Sequence, residues 1–294
     1  MKYDYVVVGG GIGGLYLGWY LSRVKTKTKI AILEQGKTVG GRVSTKYDDT
    51  KKLNYELGAG RVSSQNRILL ELIRHFNLTL TPLDSTFQWS DGQTTLSFPQ
   101  VMSQILPIMM ILQLVRVTTM KQELVQKTIQ EILLEYLQKE TVDRFLEFFP
   151  YTSEIVTENA YDGFRALDSF GFHHNFYLVK EGLSAVIEGL TREFIKNGGE
   201  IVTNAYVVNL EQKLSGWSLF TNTGDIYNSK QVIFTCNFAQ LIKIRYFNER
   251  FGKLVKMCGI RTAPLLRIYV NYPIKNNQKK VWFAGLPRTV TSLP

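Results

Sequence analysis

Residues 9–14 read Gly-Gly-Gly-Ile-Gly-Gly, and as a G-x-G-x-x-G pattern the three fixed glycines are Gly9, Gly11 and Gly14. Gly9 permits a tight turn, Gly11 lets backbone approach a pyrophosphate, and Gly14 lets a helix pack close to a strand. Glu34 stands twenty residues beyond Gly14. A carboxylate there accepts hydrogen bonds from a ribose diol and repels a 2′-phosphate. The chemistry on offer is dinucleotide binding, with NADP disfavoured. Such residues need a frame, and the flanking sequence supplies one. Tyr5-Val6-Val7-Val8 is a continuous β-prone run, suited to a strand buried on both faces of a parallel sheet. Leu15, Leu17, Gly18 and Leu21 then recur at helical spacing, and Lys29–Leu33 reads as a second strand ending at the acid. The order is strand, glycine turn, helix, strand, acid. The helix start presents free N–H groups and a partial positive charge to the phosphates.

Two further turns follow. Val39-Gly40-Gly41-Arg42-Val43 comes directly after the second strand, and Glu56-Leu57-Gly58-Ala59-Gly60-Arg61-Val62 shortly after that. With these motifs in this order the chain resembles the flavin-containing amine oxidase superfamily, nearest the branch of monoamine, polyamine and L-amino-acid oxidases. Weaker matches continue the likeness. Arg67–Ile73 resembles the helix after the second turn, and Lys180-Glu181-Gly182-Leu183-Ser184 a glycine element opening another helix. Glu200–Leu210 resembles the strand that passes the adenine, and Lys230–Cys236 the strand that closes the cofactor domain.

The resemblance implies FAD as cofactor and assigns its contacts. Gly9, Gly11, Ile12, Gly13 and Gly14 would meet the pyrophosphate, Ile12 and Gly13 through backbone N–H groups. Glu34, with Gln35 beside it, would hold the adenosine ribose. Gly41 and Arg42 would lie near the phosphates or flavin, where a guanidinium forks onto phosphate oxygens. Gly58, Ala59, Gly60 and Arg61 would line the isoalloxazine, and the Val207 backbone would meet the adenine. Arg61 has two readings: pairing with a substrate carboxylate, or supporting the flavin or phosphate. Glu56 reads as a structural or cofactor-side acid. Arg267 falls where many members carry a lysine that holds a water against the flavin, and is the one candidate catalytic residue. Two departures stand beside it: Gly36 and Thr38 lie where members often have arginines, and Trp282-Phe283-Ala284-Gly285 matches the family's later flavin-contacting motif only superficially.

Composition narrows the remaining classes. The chain has 294 residues, 45% hydrophobic and 20% charged, which excludes collagen-like, coiled-coil and wholly disordered readings. Two cysteines, Cys236 and Cys258, and three histidines leave no disulfide scaffold, zinc cluster or metal site. They predict a reducing, cytoplasmic setting, and the N-terminus reads as a strand with no leader. The net charge is +10, and residues 251–294 carry eight lysines and arginines and no acid. No helix-turn-helix, ribonucleoprotein-type motif or zinc spacing accompanies them, so a nucleic-acid partner is not expected. The apolar run Ile105–Val115 is too short to cross a bilayer, which takes about 20 residues, and reads as a buried helix rather than one lying on a membrane. Lys121–Lys139 predicts one amphipathic helix with Leu124, Ile129, Ile132, Leu133, Tyr136 and Leu137 on one face. Phe87, Trp89 and Phe98 fall in a predicted strand pair about Ser90-Asp91-Gly92, and His173-His174 read as structural or rim residues.

The expected fold is therefore α/β: a FAD-binding Rossmann-like domain of residues 1–62 and 178–237, with an inserted α+β substrate domain of residues 63–177 and 238–294. That second domain holds a helical insertion over about 98–150 and is C-terminally incomplete against the family pattern. The expected function is FAD-dependent oxidation of an amine or amino acid C–N bond to an imine, with oxygen reoxidising the flavin. A flavin desaturase or isoprenoid oxidase, and a truncated non-catalytic FAD-binding remnant, are the alternatives.

Overall fold

The structure is a computed structural model and describes residues 2–25, 27–49, 53–83, 88–90, 93–148, 152–170, 175–257 and 281–283. In the N-terminal stretch the elements are β1 (Lys2–Val8), α1 (Ile12–Val24), β2 (Ile30–Leu33), β3 (Thr45–Asp48), β4 (Leu53–Glu56), β5 (Val62–Ser63), α2 (Arg67–His75) and β6 (Leu80–Pro82). The middle holds β7 (Gln88–Ser90), β8 (Thr95–Ser97), α3 (Phe98–Thr118), α4 (Lys121–Leu124), α5 (Ile129–Tyr136), α6 (Lys139–Phe148), α7 (Ser153–Val156) and α8 (Ala160–Phe170). Then come β9 (Phe176–Val179), α9 (Ser184–Lys196), β10 (Glu200–Val202), β11 (Val207–Lys213), β12 (Gly216–Thr221), β13 (Ile226–Phe234), α10 (Phe238–Leu241), α11 (Arg245–Met257) and β14 (Val281–Phe283). The chain divides into two compact units, residues 1–83 with 176–269, and residues 84–175 with 270–294. α2, β6 and α11 pack with the first unit.

The first unit is built on a six-stranded sheet in the order β10-β2-β1-β13-β12-β11. β10, β2, β1 and β13 run parallel, and β12 and β11 close the edge antiparallel. Alternation along the parallel strands sorts their side chains to two cores. Val7, Ile30 and Ile32 join Leu15, Trp19 and Phe194 on one face. Val6, Val8, Ala31 and Leu33 join Ala205, Val207 and Leu219 on the other. Both faces are covered, so the strands are apolar throughout rather than alternating. Burying each such side chain contributes about 1.5–3 kcal/mol. α1 lies close to the sheet because Gly18 has no side chain: a Cβ there would sit 2.8 Å from Ile32 Cδ1.

One segment differs from its sequence reading. Glu200–Leu210 is two strands, β10 and β11, separated by a turn in which Asn204 has φ +57°. Asn204 and Ala205 donate to the carbonyls of Gly36 and Glu34, so this turn wraps the end of β2 instead of continuing straight.

The second unit has a helical core with Trp89, Phe145 and Phe148 fully enclosed. Trp89 donates from Nε1 to the Glu147 carbonyl (3.3 Å), and the Arg144 guanidinium stacks on its ring. Trp89 is thus a core residue. Phe98 opens α3 rather than continuing a strand. Phe87, the Asp91-Gly92 turn and His173-His174 lie outside the described residues. The Lys121–Lys139 amphipathic segment is broken into α4 and α5. Thr128 starts the second helix through a reciprocal cap, in which its N–H donates to the Glu131 carboxylate and its hydroxyl accepts from the Glu131 N–H. Restarting the helix rotates Tyr136 off the apolar face, and it is 60% exposed. α3 is also longer than the 105–115 run suggested. Among the described residues it is one helix long and apolar enough, by length and composition, to cross a membrane. Val101, Ile105, Ile108, Leu112 and Val115 face the unit's core, while Leu106, Met110, Leu114 and Val117 are exposed. β14 pairs parallel with β7, which places Trp282-Phe283 in a strand of this second unit.

Candidate cofactor site

The glycine loop joins β1 to α1 at the carboxyl ends of the parallel strands. An open α/β sheet binds ligands there, where the chain order reverses between β1 and its neighbours. Its glycines divide into two kinds. Gly9 has φ +111°, and a Cβ on it would lie 2.9 Å from the Thr235 hydroxyl. A Cβ on Gly14 would lie 2.0 Å from the Gly9 carbonyl oxygen. Those two glycines are required by the fold. A Cβ on Gly11 or Gly13 would meet nothing within 4 Å. Their faces open onto free space beside the start of α1, whose first turn contains no acidic residue to occupy the dipole. A diphosphate placed in this space would meet the first N–H groups of the helix, Ile12 and Gly13 among them.

Glu34 projects from the end of β2 onto the same loop. Its Oε2 accepts from the Gly10 N–H (2.7 Å) and its Oε1 from the Gly36 N–H (2.7 Å). Each oxygen keeps a second lone pair for a ribose hydroxyl. Gln35 beside it is exposed. Val207 is buried in the core under this edge, and the 202–205 turn leading to it hydrogen-bonds the Glu34 backbone. The Cys236 thiol, just past β13, is pushed up by burial, and the charge of Glu34 adds to the shift.

The second turn closes on the first. Gly40 donates to the Gly10 carbonyl (2.8 Å), and a Cβ on Gly41 would lie 3.4 Å from Gly11 Cα. Gly40 and Gly41 have φ of +114° and +59°, which suits glycine and disfavours other residues. Arg42 follows, exposed, and its carbonyl accepts from the Ala59 N–H (2.8 Å). Gly58 is required by that contact, since its Cβ would fall 1.8 Å from the Arg42 carbonyl oxygen. Backbone contacts, and the Glu34 carboxylate on the Gly10 N–H, thereby link Gly9–Gly14, Glu34, Gly41, Arg42 and the Gly58–Ala59 turn.

Arg61, two residues on, is exposed, with its guanidinium 5.3 Å from the centroid of the Phe176 ring. Glu56 is structural in its contacts: it accepts from the Leu183 N–H (2.7 Å) and the Thr45 hydroxyl (2.9 Å), tying β4 to the start of α9. Arg267 lies outside the described residues. Thr235 escaped the sequence reading. Its only signal was its place at the end of the predicted 230–236 strand. No group of three or more metal-ligating side chains occurs among the described residues.

This glycine cradle, the acid at the tip of the second strand and the two turns stacked on them define a dinucleotide-binding α/β protein. The chain belongs to the flavin containing amine oxidoreductase family, whose model matches residues 12–293. Membership makes FAD the implied cofactor. An L-amino acid oxidase of Cerastes cerastes is 40% identical over 75 residues, covering 26% of this chain and 14% of that one. An L-amino-acid oxidase of Mus musculus is 42% identical over 76 residues, covering 26% and 12%. Among solved structures, a wild-type putrescine oxidase bound to putrescine aligns with TM-score 0.64 at 16% identity, covering 82% of this chain and 60% of that one. A Pyrococcus furiosus protein aligns with TM-score 0.63 at 19% identity, covering 97% and 72%. The chain thus spans about 60% of the length of the putrescine oxidase structure and a far smaller share of the curated relatives it matches.

Proposed function

We propose that this protein is a FAD-dependent oxidoreductase that oxidises an amine or amino acid at its C–N bond to an imine, with oxygen reoxidising the flavin to give hydrogen peroxide. The observation that carries the reading is the open space at Gly11 and Gly13, beside a helix start with no acid and opposite a carboxylate aimed at the same loop. Bound FAD would supply the two-electron acceptor for a C–H next to nitrogen. The chain's own residues bind and orient. Ile12 and Gly13 would hold the pyrophosphate through backbone N–H groups, and Glu34 would fix the adenosine ribose. Arg42 would place a guanidinium by the phosphates or flavin, and Gly58 to Arg61 would pass the isoalloxazine. Val207 would present backbone to the adenine. No side-chain nucleophile is required of this chemistry, and residues 1–62 with 178–237 would form the FAD-binding part.

The family's amine and amino acid oxidases differ in what they recognise beyond the nitrogen. Arg61 is suited to a substrate carboxylate, because a guanidinium pairs with that anion through two hydrogen bonds. The test is spectroscopic. The purified protein, loaded with FAD, should be yellow, and its flavin bands should bleach when an amine or amino acid is added without oxygen and recover with peroxide release on aeration. A folded protein that takes up no flavin sinks the proposal. One that takes up flavin and is bleached by no amine, polyamine or amino acid sinks the oxidase part alone.

A further inference from the structure

We infer that Thr235 is a positioning residue for the cofactor's diphosphate, its hydroxyl holding one end of the peptide unit that sets the glycine loop. The inference rests on the FAD reading above and deepens it. Thr235 follows β13, on the far side of β1 from Glu34. Its N–H donates to the Val8 carbonyl (2.9 Å), which fixes its backbone against the end of β1. Its hydroxyl lies 3.0 Å from the Gly9 carbonyl oxygen and 3.2 Å from that of Val8, which already accepts the Thr235 N–H, so its single proton goes to the nearer Gly9 oxygen. The Gly9 carbonyl and the Gly10 N–H belong to the same peptide unit. Thr235 holds the carbonyl end and Glu34 Oε2 holds the N–H end at 2.7 Å.

That unit leads directly into Gly11, Ile12 and Gly13. Gly9 sits at φ +111°, a region glycine enters as readily as its mirror image, so nothing in its own backbone preference fixes the turn. The two side chains fix it from opposite sides, and Gly14 is wedged against the same carbonyl at a distance that leaves no room for a Cβ. Rotating the 9–10 peptide would break both hydrogen bonds at once and swing the following N–H groups away from the cradle. Thr235 is itself exposed, so its side chain adds little to the core, and its influence runs through the loop.

The experiment is a calorimetric titration of the full chain with ADP and with FAD, for the native protein, Thr235→Val, Thr235→Ala and Thr235→Ser, with melting of each ligand-free protein alongside. Loss of the hydroxyl should weaken both ligands about five- to tenfold, the range of one hydrogen bond. Thr235→Ser should stay within about twofold of native on the same scale. If Thr235→Val does not fold, the Ala and Ser variants carry the comparison. The inference is overturned if the variants lacking the hydroxyl bind both ligands as the native chain does, or if Thr235→Ser weakens them as much. It is overturned too if only the ligand-free melting temperature falls. If the native chain binds neither ADP nor FAD, the flavoprotein reading has failed and the positioning role with it.

Discussion

Four glycines of one loop answer to two different demands, and substitution separates them. Gly14→Ala places a methyl where the Gly9 carbonyl already stands, 2.0 Å away, so the loop or α1 must move. We expect a loss of more than 2 kcal/mol in stability, in the range of overpacked buried sites (about 1–3 kcal/mol and above). Gly11→Ala meets nothing in the protein. It should fold with an unchanged melting temperature and lose affinity for ADP, since the added methyl would enter the space proposed for the diphosphate. Equal ADP affinity in Gly11→Ala and the native chain would show that the diphosphate does not lie against Gly11. Glu34→Gln should weaken FAD about tenfold to a hundredfold, because it replaces the charge-assisted hydrogen bond to Gly10 and the one proposed to the ribose. Arg61→Ala should raise KM for substrates bearing a carboxylate and leave simple amines unchanged. An equal rise for both would assign Arg61 to the flavin instead.

At the scale of elements, three helices of the first unit meet through one carboxylate. Glu193 on α9 accepts from Trp19 Nε1 on α1 (2.6 Å) and lies 2.9 Å from His75 Nε2 on α2. Burial pushes the Glu193 carboxyl up, but the hydrogen bonds from Trp19 and His75 outweigh it and hold it below the usual range. A depressed carboxylate stabilises the fold above its unfolded pKa, and that contribution is lost as pH falls through the lower folded value. Glu193→Gln should therefore melt below the native protein at pH 7, with the gap closing as both are acidified below the ordinary carboxylate range. A gap that stays constant from pH 7 to pH 3 would show that packing, not charge, sets the effect. In the second unit the Thr128–Glu131 cap decides where α5 begins. Thr128→Ala should cost about 1 kcal/mol in thermal or urea unfolding of that unit.

Over the whole molecule, cofactor and stability are linked. A ligand that binds the folded state alone raises stability by RT ln(1 + [L]/Kd), about 2.7 kcal/mol at a hundred times Kd. The chain matches its family from residue 12 to residue 293 while covering 60% of the putrescine oxidase structure it aligns with. Saturating FAD should raise the melting temperature of the first unit, and differential scanning calorimetry in the presence and absence of FAD would show it. A melt unmoved by FAD would count against cofactor uptake by this chain.

What the residue order determined by itself is the first crossover: β1, the glycine turn, α1, β2 and Glu34. Every signal there is local. Continuous β-prone runs, helical spacing, glycine's freedom and an acid at a fixed interval all act within the same 34 residues. The tertiary structure decided what distance in sequence concealed. Glu200–Leu210 reads as one β-prone run, yet it splits because the Gly36 and Glu34 carbonyls capture the N–H groups of Asn204 and Ala205. The middle helix breaks at Thr128 because a cap hydrogen bond there outweighs the continuing apolar pattern. Thr235 reaches the glycine loop across 226 residues of chain. Only the pairing of β13 with β1 brings it there, and strand order is set by the burial of two sheet faces at once, which no local pattern encodes.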